Sequence, residues 1–170
     1  LTETLQPSDP PTRRDLQRLR RTIRRGARAG LKAVARHAPV RVYGSSGSIH
    51  ALAQIAHSLE AGRQIALING HVLTLESLRR VERRLQRMTA AERERLPGID
   101  AKRAEIIVPG ATLLVHILEG VDADGITISD YGVREGLVTD YITANAEEFD
   151  DTGQVQDLRH RSALLCLARF

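Results

Sequence analysis

The chain of 170 residues contains one cysteine, no tryptophan and only 3% aromatic residues. The single cysteine, Cys166, excludes an internal disulfide and favours a reducing compartment, which predicts a cytoplasmic protein. No run of about eighteen apolar residues occurs and no charged-then-apolar leader is seen, so we expect no membrane-spanning segment. The six histidines lack the spacing of zinc ligands, so none is expected to bind a metal.

The residues that are abundant favour one folded domain with an uneven charge. A hydrophobic content of 42% with 27% charged residues is sufficient for a buried core. The net charge of +4 comes largely from residues 13–36, which include ten basic residues and one acidic residue, Asp15. The chain starts at Leu1 and its last eight residues are apolar without a helix stop signal, so we expect a piece of a longer protein.

Local signals predict an α/β fold that is rich in helices and has few strands. Thr12 with Asp15 three residues later predicts a capping box before a long amphipathic helix over 13–36. Residues 40–43 and 126–129 are typical of short strands, each followed by a polar turn and a helix, which predicts a parallel pair. Two strands are few for a stable sheet, so association with another lobe or a second copy, as a homodimer, is expected.

Two further signals concern the middle of the chain. Asn69 and Gly70 lie between two short apolar runs, 65–68 and 72–73, which predicts a hairpin. Pro109 lacks a backbone donor and clashes with the preceding turn, so it predicts a break between helices over 101–107 and 110–119.

A loop of glycine and serine follows the first predicted strand. It consists of Gly44, Ser45, Ser46, Gly47 and Ser48. No lysine follows its last glycine, which excludes a Walker loop, and Ser48 replaces the second glycine of a hydrolase nucleophile elbow around Ser46. A helix N-terminus here would offer free backbone donors to an anion. Phosphate binding and an ordinary capped turn both remain open from this pattern.

Arginines provide the other candidate contacts. The basic helix over 13–36 is either a solvated face or a module that binds phosphate polymers or nucleic acid. Arg103 and Arg134 each lie near the start of a predicted helix, where a guanidinium could reach a bound phosphate. Glu135 at the same helix start fits the helix dipole.

Several segments together resemble the exopolyphosphatase and guanosine pentaphosphate phosphatase (Ppx/GppA) family. VYGSSGSIHALAQI is one of them, and the most specific set is LPGIDAKRAEIIVPGA followed by SDYGVREGL. The resemblance covers about residues 1–142. It implies an actin-like (ribonuclease H-like) fold of two lobes, of which this chain is most of the second. The expected parts are the lobe over 1–143, an acidic linker over 144–154, and the truncated first helix of a helical module over 155–170.

The resemblance also implies roles for residues. Residues 44–48 would form a phosphate loop, Gly110 and Ala111 would lie where related proteins hold a nucleoside, and Arg103, Arg134 and Glu135 would line the cleft. The ligand would be inorganic polyphosphate or guanosine pentaphosphate. The family's catalytic glutamate and most of its Mg²⁺ ligands belong to segments not found here. We therefore expect no catalytic residue in this chain, which would bind better than it cleaves and would need the missing lobe as its partner.

Overall fold

The computed structural model describes residues 8–38 and 41–145. Helices dominate it and three short strands separate them. The elements are α1 Arg13–Ala35, β1 Tyr43–Gly44, α2 Gly47–Ala61, β2 Val72–Thr74, α3 Leu75–Leu85, α4 Ala90–Glu94, α5 Ala101–Gly120, β3 Gly125–Ile128 and α6 Val133–Ala144. None of the helices in the described part is long and apolar enough to cross a membrane.

Side-chain caps fix where most helices begin. The predicted capping box is confirmed, because the Asp15 N–H donates to Thr12 Oγ1 and Asp15 accepts from the Thr12 N–H at 3.0 Å. The bond from the Thr12 hydroxyl to the carboxylate is the largest of the causes that lower the pKa of Asp15. At the starts of α2 to α5 the cap side chain also accepts from the N–H three residues later; these caps are Ser46, Thr74, Thr89 and Asp100.

The three strands form one mixed sheet in the order β1, β3, β2. Tyr43 lies opposite Thr127 in the parallel pair of β1 and β3, so the predicted parallel pairing is confirmed. β1 is shorter than the strand predicted over residues 40–43. Residues 39 and 40 lie outside the described part. Leu73 lies opposite Ile126 in the antiparallel pair of β2 and β3.

The predicted hairpin around Asn69 and Gly70 is wrong. Residues 65–68 are not a strand, because the Gln54 side chain bonds both backbone groups of Ile65, at 2.9 and 3.2 Å. Asn69 and Gly70 do form a turn, with Gly70 at a φ of 79°. The strand that follows this turn, β2, pairs with β3.

The predicted break at Pro109 is also wrong, since α5 runs without interruption from Ala101 to Gly120. Proline inside a helix costs about 3 kcal/mol. Pro109 has no N–H to donate to the Glu105 carbonyl. Glu105 lies on the exposed side of the helix. Ile107 and Val108 are fully buried beside it, and burying each such side chain contributes about 1.5–3 kcal/mol. This burial offsets the cost of the proline.

Most of the core lies between helices. Of the 17 buried residues in the core cluster, 14 belong to α2, α3 and α5, and the sheet supplies Leu73, Ile126 and Ile128. The chain divides into two compact units, one up to Asp130 and one from Tyr131 onward. The second unit contains α6, which has no buried residue. The predicted linker and the truncated helix fall almost entirely on residues 146–170, outside the described part.

Candidate phosphate-binding site

The glycine-serine loop follows β1 directly and is held by close packing at its first residue. A Cβ on Gly44 would lie 2.7 Å from Ile49 Cδ1 and closer still to Ile126 Cδ1, so only glycine fits without a shift of these side chains. The Gly44 carbonyl accepts from the Ser129 N–H at 2.9 Å. The loop is therefore anchored to the end of β3.

The loop ends at the N-terminus of α2, which begins at Gly47. Ser46 caps the helix, with its Oγ accepting from the Ile49 N–H at 3.2 Å. Within the described residues, the N–H groups of Gly47 and Ser48 have no acceptor. No acidic residue occupies the first turn, so the positive end of the helix dipole is not compensated by a side chain. Ser45, Ser46 and Gly47 are exposed.

Arg103 lies against this helix N-terminus, although 55 positions separate it from Ser48 in the sequence. Its Nη2 is 2.7 Å from the point where a Cβ on Gly47 would be. Its Nη1 donates to the Gly98 carbonyl at 2.8 Å and lies 3.3 Å from Asp100 Oδ2. The side chain is 30% exposed. The structure thus brings a guanidinium and two free backbone donors together.

His50 is a neighbour of the loop that the sequence did not single out. Its Nε2 is 3.0 Å from the Ser129 carbonyl oxygen, and its Nδ1 is 3.6 Å from Asp130 Oδ1. These contacts tie the first turn of α2 to the residues after β3. No sequence signal identifies them, because His50 and Ser129 are far apart in the chain.

Gly110 and Ala111 lie in the middle of α5, seven and eight residues beyond Arg103. At a rise of 1.5 Å per residue they are about 10–12 Å along the helix from it. Ala111 is fully buried in the core, whereas Gly110 is partly exposed with open space above its Cα. Any contact with a nucleoside would therefore come from Gly110, and Ala111 packs behind it.

Arg134 and Glu135 belong to the second unit, at the start of α6. Glu135 accepts from the Gly132 N–H at 2.7 Å, and this hydrogen bond is the main cause that lowers the pKa of its carboxyl. Arg134 is exposed, and its charge lowers the same pKa slightly. The pair therefore forms a capped helix start with one arginine projecting outward.

The residues around the loop are suited to binding an anion. Two free N–H groups, exposed serine hydroxyls and the Arg103 guanidinium all donate hydrogen bonds, and charge-assisted bonds of this kind are the strong ones. The nearby carboxylates of Asp100 and Asp130 lie beside Arg103 and His50. Among residues 8–38 and 41–145, no three His, Cys, Asp or Glu side chains converge on one point. The described part therefore offers no set of three such ligands for the Mg²⁺ that the family resemblance implies.

A short mixed sheet, a glycine-serine loop and a helix N-terminus facing an arginine define a helix-rich α/β protein whose loop presents hydrogen-bond donors. The chain belongs to the Ppx/GppA phosphatase family, whose model matches residues 1–144. The resemblance read from the sequence is confirmed.

Individual relatives agree with this assignment. The chain is 27% identical over 150 residues to exopolyphosphatase 1 of Mycobacterium tuberculosis, covering 86% of this chain and 42% of that protein. It is 26% identical over 99 residues to a guanosine-5'-triphosphate,3'-diphosphate pyrophosphatase of Vibrio cholerae, covering 58% and 18%. The crystal structure of an exopolyphosphatase from Cytophaga hutchinsonii matches with a TM-score of 0.73 and 25% identity, covering 81% and 44%. The chain thus spans less than half the length of these relatives.

Proposed function

We propose that this chain is the phosphate-holding second lobe of an actin-like hydrolase. The complete enzyme would release terminal phosphate from inorganic polyphosphate or guanosine pentaphosphate by attack of water. In this proposal residues 44–48 and Arg103 hold the phosphate, and Gly110 is a candidate for the cleft wall. Arg134 and Glu135, in the second unit, stay predictions of the family resemblance. The catalytic carboxylate and most ligands of Mg²⁺ would come from a lobe that this chain does not contain.

One observation carries the proposal: the Arg103 guanidinium lies against Gly47, beside two helix N–H groups without acceptors. A side chain at position 47 would displace the guanidinium, so only glycine lets Arg103 lie this close to the helix N-terminus. The relatives that carry the names exopolyphosphatase and guanosine-5'-triphosphate,3'-diphosphate pyrophosphatase support phosphoanhydrides as the ligand class. The shared chemistry of both ligands is a chain of phosphates.

The chain's own residues would bind and orient the substrate. Backbone donors and a guanidinium placed at the terminal phosphate stabilise negative charge without needing to rearrange. When bound, Mg²⁺ would neutralise phosphoryl charge, and in this proposal the other lobe supplies the catalytic carboxylate and most ligands of the ion. We therefore assign no proton transfer to this chain.

Turnover assays test the division of labour. We expect residues 1–170 to bind tripolyphosphate yet release no phosphate from it in the presence of Mg²⁺, while the chain joined to a complete first lobe hydrolyses polyphosphate. Phosphate release by residues 1–170 above the uncatalysed background would refute the proposed incompleteness. The same assay on the joined protein, with polyphosphate and guanosine pentaphosphate in parallel, shows which of the two ligands is hydrolysed.

The alternative is a non-catalytic module that binds phosphate polymers or nucleic acid through α1. It predicts that replacing Arg20, Arg21, Arg24 and Arg25 with glutamine abolishes tripolyphosphate binding, whereas Gly47→Val leaves it intact. The proposed function predicts the opposite ranking. A cytoplasmic location and a homodimer remain expectations, which fractionation and sedimentation would check.

A further inference from the structure

A basic groove lies between α1 and the C-terminal half of α5, away from the glycine-serine loop. Two adjoining cavities form it, with volumes of about 290 and 870 Å³. Arg24 and His116 line both cavities, so the two adjoin at these side chains. The smaller cavity also reaches α3 at Arg79 and Arg83. We call this feature the α1 groove.

Positive charge dominates the lining of the α1 groove. Eight basic side chains line it: Arg20, Arg21, Arg24, Arg25, Arg28, Lys32, Arg79 and Arg83. The lining contains two acidic residues, Glu82 and Glu119. Arg79 pairs with Glu119 at 2.7 Å and Arg20 lies 3.6 Å from Glu82, so each acid already has a partner.

Six cations therefore remain for a ligand. Within the described residues, Arg21, Arg24, Arg25, Arg28, Lys32 and Arg83 make no ion pair and no side-chain hydrogen bond. Glu82 is 6% exposed and accepts from the Thr112 hydroxyl at 2.9 Å and from Gln86 at 2.7 Å, so its charge is well satisfied. These six cations come from two different helices, α1 and α3. A solvated face of α1 alone would not bring in Arg83 from α3.

Packing holds the second half of α1 beside α5. A Cβ on Gly120 would lie 2.7 Å from Leu31 Cδ1, so the leucine side chain sits directly on the glycine. In the first half of α1, Leu19 and Ile23 are buried. The groove is thus bounded by packed helices on both sides, and its cations lie at fixed spacing along α1.

We propose that the α1 groove is a second binding site for inorganic polyphosphate, a holding site distinct from the phosphate loop. This proposal rests on the proposed function, because it takes polyphosphate as the ligand. Unpaired cations in a row complement a linear polyanion. Proteins that bind single-stranded nucleic acid add aromatic side chains for stacking, and no Phe, Tyr or Trp lines this groove. A polymer of phosphates without bases therefore fits best.

The two sites are separated along α5. Arg103 stands in the first turn of α5, Thr112 lies nine residues further and His116 thirteen. At 1.5 Å per residue these separations are about 14 and 20 Å. Tripolyphosphate is too short to contact both sites, whereas a long polyphosphate chain can occupy both at once and gain avidity.

Binding of three ligands by four proteins tests this proposal. Residues 1–170 are titrated with tripolyphosphate, with long-chain polyphosphate and with single-stranded DNA. The groove variant carries Arg24→Gln, Arg28→Gln, Lys32→Gln and Arg83→Gln. The control variant loses the same charge outside the groove, through Arg13→Gln, Arg14→Gln, Arg36→Gln and Arg87→Gln. The fourth protein is Gly47→Val, and circular dichroism checks that every variant folds.

The groove variant should bind long-chain polyphosphate at least about tenfold more weakly while its affinity for tripolyphosphate is unchanged. If each lost cation contacts one phosphate, the salt slope should fall by about 3, so that between 50 and 200 mM salt the original chain loses about 50-fold more affinity than the variant. The control variant should retain most of the affinity and the slope.

Three outcomes would overturn the proposal. Equal losses in the groove and control variants would mean that net charge alone is measured. Tighter binding of single-stranded DNA than of polyphosphate with the same number of phosphates would assign the groove to nucleic acid. Equal affinity of the groove variant and the original chain for long polyphosphate would show that the α1 groove does not bind this ligand. By contrast, Gly47→Val with unchanged tripolyphosphate binding would contradict the proposed function of the loop and leave the groove result standing.

Discussion

Replacing Gly47 with alanine places a methyl group against the guanidinium of Arg103. The added Cβ would lie 2.7 Å from Nη2, whereas ordinary contact begins at 3.4 Å. Arg103 must therefore retreat by about 0.7 Å, the difference between these distances. The side chain is 30% exposed and can move toward solvent. We expect the fold to tolerate Gly47→Ala and the site to lose its guanidinium.

The magnitudes for folding and binding differ. Retreat of Arg103 weakens its bond from Nη1 to the Gly98 carbonyl, a net loss of about 1 kcal/mol. Alanine in a helix gains up to about 1 kcal/mol over glycine, so the free energy of unfolding should change little. A hydrogen bond to a charged group is worth about 1.5–3 kcal/mol, which corresponds to a rise in the Kd for tripolyphosphate of roughly 10- to 150-fold.

Isothermal titration calorimetry with tripolyphosphate measures this Kd, and thermal melting reports the fold. Gly26→Ala is the matched control, since a Cβ there meets no atom within 4 Å and the binding should not change. Arg103→Gln should weaken binding as much as Gly47→Ala. Because both changes remove one contact, the double variant should lose little more than either single variant. A folded Gly47→Ala chain with unaltered affinity would refute the role of Arg103.

Two further predictions concern stability. Thr12→Ala removes the cap of α1 and should lower the free energy of unfolding in urea by about 1 kcal/mol. Thr22→Ala in the exposed middle of α1 should cause no loss, and equal stability of Thr12→Ala and the original chain would contradict the prediction. The Ser77 hydroxyl, and to a smaller extent Arg80, lower the pKa of the Glu60 carboxyl below 4.5. Its stabilising contribution is therefore present above that pH and is lost as the pH falls through the folded-state pKa. Glu60→Gln should reduce the acid dependence of the melting temperature, and a pH profile identical to that of the original chain would disprove the assignment.

Local signals in the sequence predicted the elements that local contacts build. The Thr12 and Asp15 capping box forms as expected, because both partners lie within one helical turn. The loop before α2 is placed correctly, since glycine and serine between apolar segments favour a capped helix start. The parallel pairing of β1 and β3 followed from the order of strands and helices.

Long-range contacts explain what the sequence did not predict. The Asn69-Gly70 signal correctly indicates a turn, but Gln54 bonds Ile65 and the preceding segment remains irregular. Pro109 is a local helix breaker that burial overrides. The sequence marks Arg103 as a candidate, yet only the fold places its guanidinium at Gly47, 56 residues away.

The uninterrupted α5 has a consequence for how the two candidate sites would cooperate. A break at Pro109 would let Arg103 move independently of Thr112 and His116. Instead Ile107, Val108 and Ala111 anchor the middle of the helix in the core, so one rigid element reaches both sites, although the cations of the α1 groove lie on α1 and α3. Their separation of about 14–20 Å is then fixed by helix geometry rather than by a flexible connection. A fixed separation favours only ligands long enough to span it, and it makes chain length the property by which this lobe would distinguish polyphosphate from a short phosphate ligand.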